Sequence, residues 1–215
     1  MRTIIFLLLV FLLLAGCAPV QQQPAPEAKT ILGTDRINEP EYSKLLQNKA
    51  LGLFTNQSVN NSLQLTADSL REKYSLKAIY VPEHGFYSAV RAGKKINHSA
   101  YNSIPIYSLY GDNRRPTPAM LNGIDAMVVD IQDVGTRHYT YFSTLAYIME
   151  ECAKLNKEVI VLDRPNPLGG AVQGPVLKPE HATFIGLYSI PLRHGLTIGE
   201  YAQYINKTNY IKSRG

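Results

Sequence analysis

The chain has 215 residues, of which 45% are hydrophobic and 18% charged. That balance excludes a disordered chain and supplies the apolar side chains that a domain of ordinary size needs. Two cysteines exclude a disulfide scaffold, and 22 basic against 17 acidic residues leave a net charge of +5, too small an excess to indicate nucleic acid.

Arg2 precedes an apolar run from Ile4 to Leu14. Such a run suits the core of an export signal and falls short of the roughly 20 residues a membrane helix requires. Leu14-Ala15-Gly16-Cys17 resembles the lipobox of bacterial lipoproteins. In that pattern small residues admit the signal peptidase, and the cysteine thiol is lipidated. Residues 1–16 are therefore expected to be a signal peptide, with Cys17 as the lipidation site. Acyl chains on both the thiol and the new amino terminus would hold the chain at a membrane, where one chain alone is marginal. Ala18 rather than aspartate follows the cysteine, so an outer-membrane anchor facing the periplasm is expected in a Gram-negative cell. Residues 17–30, rich in Pro, Gln and Ala, read as a tether. Residues 31–215 read as the folded domain.

Residues 50–55 (ALGLFT) form a short apolar run that predicts a buried strand. Ser62 as N-cap predicts a helix over 62–74. Strands follow at 76–81 and 104–109, with Pro105 favouring an edge or the first residues of the second. Thr117-Pro118 opens a short helix that Gly123 closes. A central strand is expected at 126–131, the longest helix at 140–155 and a further buried strand at 158–163. Cys152 falls in the apolar pattern of that helix and reads as an inert core thiol. Thr197 and Glu200 form a capping box that opens the last helix. The alternation predicts an α/β fold with a mostly parallel sheet covered on both faces.

In such sheets ligands bind beyond the carboxyl ends of the strands. The residues that follow the predicted strands are Asn56; Glu83 and His84; Tyr110; Asp130, Asp133, Arg137 and Tyr139; and Asp163, Arg164 and Asn166. Their convergence points to a site. A carboxylate held in the Pro82–Gly85 turn, Glu83, suits acid catalysis. His84 reads as a base, a ligand or the partner of Glu83. Asp130 and Asp133 have no third ligand at a readable spacing, so no metal is expected. Arg137, Arg164 and Arg193 are candidates for holding an anionic substrate, or pair with the aspartates. Asp163 caps the next turn or orients Arg164. No Gly-rich dinucleotide loop, phosphate loop or serine elbow is present, so no cofactor is expected.

Pro82-Glu83-His84-Gly85-Phe86 resembles the P-E-H-G-F signature of the NamZ-type exo-β-N-acetylmuramidases, the DUF1343 family. So do Tyr107–Gly111 (YSLYG), Asp130–Tyr141 (DIQDVGTRHYTY), Leu162–Gly169 (LDRPNPLG) and Arg193–Glu200 (RHGLTIGE). Tyr87-Ser88-Ala89 and Lys94 depart from the family pattern. The resemblance implies a Rossmann-like N-terminal part and removal of N-acetylmuramic acid from the non-reducing end of peptidoglycan fragments. It places the family's catalytic glutamate on Glu83. His84 and Asp130 are assigned with it as catalytic. Asn56, Asp133, Arg137, Tyr139, Arg164, Asn166, Arg193 and His194 are assigned to the glycan. The family continues beyond the motifs seen here, so a chain truncated before a second, cleft-forming domain is expected. A non-catalytic envelope lipoprotein that binds cell-wall sugars is the alternative.

Overall fold

The computed structural model describes residues 30–56, 60–61, 64–86, 99–208 and 210. The lipobox, almost all of the tether, Tyr87–Ala89, Lys94 and the end of the chain lie outside them. Two short helices, α1 (Gly33–Arg36) and α2 (Pro40–Ser43), lead into β1 (Ala50–Thr55). The next elements are β2 (Asn60–Asn61), β3 (Gln64–Leu65), α3 (Thr66–Lys73), β4 (Ser75–Val81), β5 (Ser99–Tyr101) and β6 (Ile104–Ser108). Then come α4 (Pro118–Leu121), β7 (Ala126–Asp130), α5 (Tyr141–Lys154) and β8 (Glu158–Val161). The chain ends with β9 (Gln173–Val176), β10 (Pro191–Arg193) and α6 (Ile198–Lys207).

The main sheet runs β5-β6-β4-β1-β7-β8. All its pairings are parallel except β5 with β6. After β1 the chain steps outward through β4 and β6, then returns to place β7 on the other side of β1. The order reverses between β1 and β7, the switch point where open α/β sheets leave a crevice. Register keeps the carboxyl ends flush: Thr55 pairs with Asp130, Val81 with Ser108, and Val129 with Val161.

Alternating side chains feed two cores. Phe54, Tyr80, Met127 and Val129 pack with α4, α5 and α6. Leu53, Ile79, Val81 and Val128 pack on the opposite face with α3 and with Ile37 and Leu46. Strands buried on both faces read as continuous apolar runs, and β1 and β7 do so. Close approach fixes one glycine. A Cβ on Gly33 would lie 2.6 Å from the backbone nitrogen of Asp163, so α1 can lie against the end of β8 only because residue 33 has no side chain.

The structure departs from the sequence reading in two places. The helix expected from Ser62 begins at Thr66, because Gln64–Leu65 is taken up by a two-residue pairing with Asn60–Asn61. The strand expected at 158–163 runs 158–161, is an edge and is only partly buried, since β9 and β10 pair with each other instead of extending the sheet. Pro105 is among the first residues of its strand, as read: it is second in β6, opposite Ala100 of β5. The capping box holds as read: Thr197 accepts from the Glu200 N–H and Glu200 accepts from the Thr197 N–H.

Cys152 is fully buried in α5, and burial pushes its thiol pKa up to about 12. The thiolate is the reactive form. Iodoacetamide at pH 8 is expected to leave Cys152 unmodified in the native chain and to alkylate it in urea. The folded thiol holds its proton above the unfolded value of about 8.5, so stability is expected to be flat below that pH and to fall as pH rises through and beyond it. Mass spectrometry and urea titrations across pH check both.

Candidate active site at the strand ends

The backbone N–H of Leu109 donates to the Val81 carbonyl at 2.9 Å, which continues the β4–β6 register past the strands. One residue further on, Tyr110 meets the Pro82–Gly85 turn. That turn is closed by the Gly85 N–H donating to the Pro82 carbonyl at 3.0 Å, with Gly85 at φ 74°, a value that suits glycine. Glu83 and His84 occupy its corner and are partly exposed. The Glu83 carboxylate beside the Tyr110 hydroxyl raises the tyrosine pKa, and the nearby Arg114 charge acts in the opposite sense. Phe86 packs below against Tyr101, with centroids 5.0 Å apart.

Asn56, just past β1, is buried and donates through Nδ2 to the Tyr141 hydroxyl at 3.0 Å. Tyr141 packs on Tyr139, their rings edge to face at 4.4 Å. Burial first, then the adjacent Tyr139 hydroxyl, raises the Tyr141 pKa, and the charge on Glu83 adds to the effect. Glu83 therefore lies within electrostatic reach of Tyr141.

Asp130 ends β7 with 0% exposure. Its Oδ1 accepts from Arg164 Nε at 2.6 Å. Its Oδ2 accepts from Arg164 Nη2 at 3.3 Å and from the Thr66 hydroxyl. This carboxylate is saturated by protein donors, so it ties β7, the exit of β8 and the start of α3 together. Asp163 is an anchor of a different kind. Its Oδ1 accepts the N–H groups of Arg164 at 2.9 Å and Gly199 at 2.8 Å, and its Oδ2 accepts the Thr197 hydroxyl at 2.7 Å. A carboxylate at the first turn of α6 satisfies open donors and complements the helix dipole.

The other assigned residues are also bound inward. His194 Nδ1 accepts from the Leu196 N–H at 3.1 Å, which leaves the proton of the neutral ring on Nε2, 3.4 Å from Asp133 Oδ2. Asp133 Oδ2 accepts the Gly135 N–H at 2.6 Å, and its Oδ1 is buried without a hydrogen-bond partner. Arg137 Nη1 donates to the carbonyls of Pro175 at 2.8 Å and Ile190 at 2.6 Å, pinning the β9–β10 hairpin. Arg193 donates to the Leu168 carbonyl and to Gln173 Oε1 at 3.2 Å. Asn166 donates to the Leu196 carbonyl at 3.0 Å and accepts from the Leu168 N–H at 2.9 Å. Among the described residues, no three His, Cys, Asp or Glu side chains come together as a metal site.

Residues 51–214 match the family model described as exo-beta-N-acetylmuramidase NamZ, N-terminal. The chain belongs to that family. It is 43% identical over 220 residues to the peptidoglycan beta-N-acetylmuramidase NamZ of Bacillus subtilis strain 168, covering 96% of this chain and 53% of that protein. Two solved DUF1343 proteins of Bacteroides fragilis superpose on it. One has a TM-score of 0.77 at 42% identity, covering 85% of this chain and 47% of the other. The second has a TM-score of 0.74 at 33% identity, covering 86% and 49%. The chain spans about half the length of these relatives.

In this NamZ-family chain the sequence reading brought Glu83, His84, Asn56 and Tyr139 to one edge. It set Tyr110 among the strand-end residues without giving it a role, and it assigned none to Tyr141. Tyr110 was legible as the residue after β6, but a tyrosine there carries no signal until the Glu83 turn is seen beside it. Thr66 carried no signal at all.

Breaking a buried ion pair leaves an uncompensated charge and costs about 3–5 kcal/mol. Arg164→Ala is expected to destabilise the chain by about that much. Adding Asp130→Asn should recover a large part of the loss. Urea unfolding of both variants checks it; equal losses in single and double variants would contradict the anchoring role.

Proposed function

We propose that the chain is a glycoside hydrolase that releases N-acetylmuramic acid from the non-reducing end of peptidoglycan fragments, with Glu83 as general acid. The observation that carries this is the placement of Glu83: a partly exposed carboxylate at a strand end, beside the Tyr110 hydroxyl and within electrostatic reach of Tyr141. The relative from Bacillus subtilis, a peptidoglycan beta-N-acetylmuramidase, supports the reaction class. Cleaving a glycosidic bond requires proton delivery to the leaving oxygen, and a partly exposed carboxyl group can supply it. Asp130 does not meet that condition, because Arg164 and Thr66 take up both its oxygens. Its role in this reading is to hold the strand ends in place, and the sugar's own acetamido group is the partner opposite Glu83. Tyr110 and Tyr139, both partly exposed, offer rings and hydroxyls to a sugar.

The export reading accompanies this one. Cys17 in Leu14-Ala15-Gly16-Cys17 is proposed as a lipid anchor at the cell envelope, where muramic-acid sugars occur. Among the described residues no helix is long and apolar enough to cross a membrane.

The test is release of free N-acetylmuramic acid from a MurNAc–GlcNAc disaccharide. Glu83→Gln is expected to lower the rate by about 10²–10⁴-fold with the fold intact by circular dichroism. An unchanged rate contradicts the assignment. Separately, labelled palmitate is expected to be incorporated by the wild-type chain and not by Cys17→Ser in a bacterial host. Equal labelling of the two contradicts the anchor.

A further inference from the structure

A muramic-acid sugar differs from its N-acetylglucosamine neighbour by a lactyl ether that ends in a carboxylate. A site that tells the two apart needs a cation, and arginine suits it because its planar fork matches a carboxylate. Arg164, Arg137 and Arg193 have donors committed to Asp130, to backbone carbonyls and to Gln173. A different arginine, Arg114, lies near Tyr110, the residue whose hydroxyl is beside Glu83.

Past Tyr110 the chain turns at Gly111, φ 81°, where an added Cβ would meet nothing within 4 Å. The turn opens a cavity of about 420 Å³ lined by residues that include Asp112, Asn113, Arg114, Arg115 and Tyr147. The two arginines stand differently. Arg115 lies over the Tyr147 ring at 3.7 Å and is neutralised by Glu150 at 2.5 Å and Glu151 at 3.2 Å. Arg114 lies over the Phe184 ring at 4.6 Å, and among the described residues no carboxylate pairs with it. Phe184 is itself stacked on Tyr147, centroids 5.8 Å apart, so the platform under Arg114 is fixed. A ring face holds the guanidinium by its π surface and leaves the in-plane N–H groups to point outward. The acidic residue in the cavity wall, Asp112, is engaged in an interaction of its own.

We propose that Arg114, braced against Phe184, binds the lactyl carboxylate of N-acetylmuramic acid and so selects that sugar over N-acetylglucosamine at the site of Glu83. This rests on the glycosidase reading for the location of the sugar. Its chemistry is separate: Arg114 provides affinity for a carboxylate, and Glu83 provides proton transfer. Arg114→Ala removes the fork and keeps the cavity. Arg114→Lys keeps the charge and loses the paired N–H geometry.

The test is binding, which does not require turnover. Dissociation constants are measured by calorimetry for N-acetylmuramic acid, for the same sugar with its lactyl group as a neutral amide, and for N-acetylglucosamine. The wild-type chain is expected to prefer the free acid by about 10- to 100-fold, the range of a charge-assisted hydrogen bond. Arg114→Ala is expected to abolish the preference by weakening the acid alone, and Arg114→Lys to restore part of it. A preference that survives in Arg114→Ala overturns the proposal, as does equal binding of the three sugars by the wild-type chain or its failure to bind the acid. Equal weakening of all three by Arg114→Ala, with or without a changed melting temperature, also overturns it. A chain that binds the acid through Arg114 yet releases no sugar refutes the glycosidase reading and leaves this one standing. Release of N-acetylmuramic acid with no carboxylate preference does the reverse.

Discussion

The buried contact between Asp130 and Arg164 is the interaction on which the strand-end arrangement depends. It joins the last residue of β7 to the first turn after β8 and, through Thr66, to the start of α3. β7 pairs with β1 on one side and β8 on the other. Fixing its end therefore fixes the height at which Asn56 leaves β1. Such a pair is costly to desolvate, and its value lies in geometry more than in net stability. Both carboxylate oxygens are occupied, so the group cannot shift toward a ligand without leaving a guanidinium buried and unpaired.

The same edge carries two kinds of polar group. On the β7–β8 side, Asp130, Asp133, Asp163, Arg137, Arg164, Arg193 and His194 make bonds within the protein, to helix α6 and to the β9–β10 hairpin. On the β4–β6 side, Glu83 lies beside Tyr110, and Arg114 lines a cavity past Gly111. The hydrogen-bonded pair of Asn56 and Tyr141, with Tyr139 packed on it, lies between them. The division follows from the topology: α6 and the hairpin pack near β8, and among the described residues no comparable element covers the exit of β6. A reaction that needs a proton donor and a sugar-sized opening suits the second side.

Much of the fold could be read from the chain. The apolar runs at 50–55 and 126–130, the Thr117-Pro118 start and the Thr197–Glu200 box each lie within a residue or so of the elements they indicated. The signals that failed were the short ones. Ser62 looked like a cap because the segments on either side of it, Asn60–Asn61 and Gln64–Leu65, are two-residue strands with no pattern of their own. The run at 158–161 looked buried because an edge strand with helices beside it is as apolar as an inner one. In the site, residue type proved a poor guide to exposure. An arginine after a strand is equally consistent with gripping a substrate, tying down a hairpin as Arg137 does, or neutralising an aspartate as Arg164 does. Arg114 combines a ring beneath it, contributed by Phe184 from 70 positions along the chain, with no carboxylate pairing among the described residues. No local pattern reveals such a contact.

The account separates a scaffold carboxylate, Asp130, from a working one, Glu83. A crystal structure of the Glu83→Gln chain soaked with MurNAc–GlcNAc tests that separation most directly. The account requires the glycosidic oxygen within hydrogen-bonding distance of residue 83 and the Asp130–Arg164 pair unbroken. A sugar bonded directly to Asp130 with that pair opened, or a sugar seated away from residue 83, would contradict it.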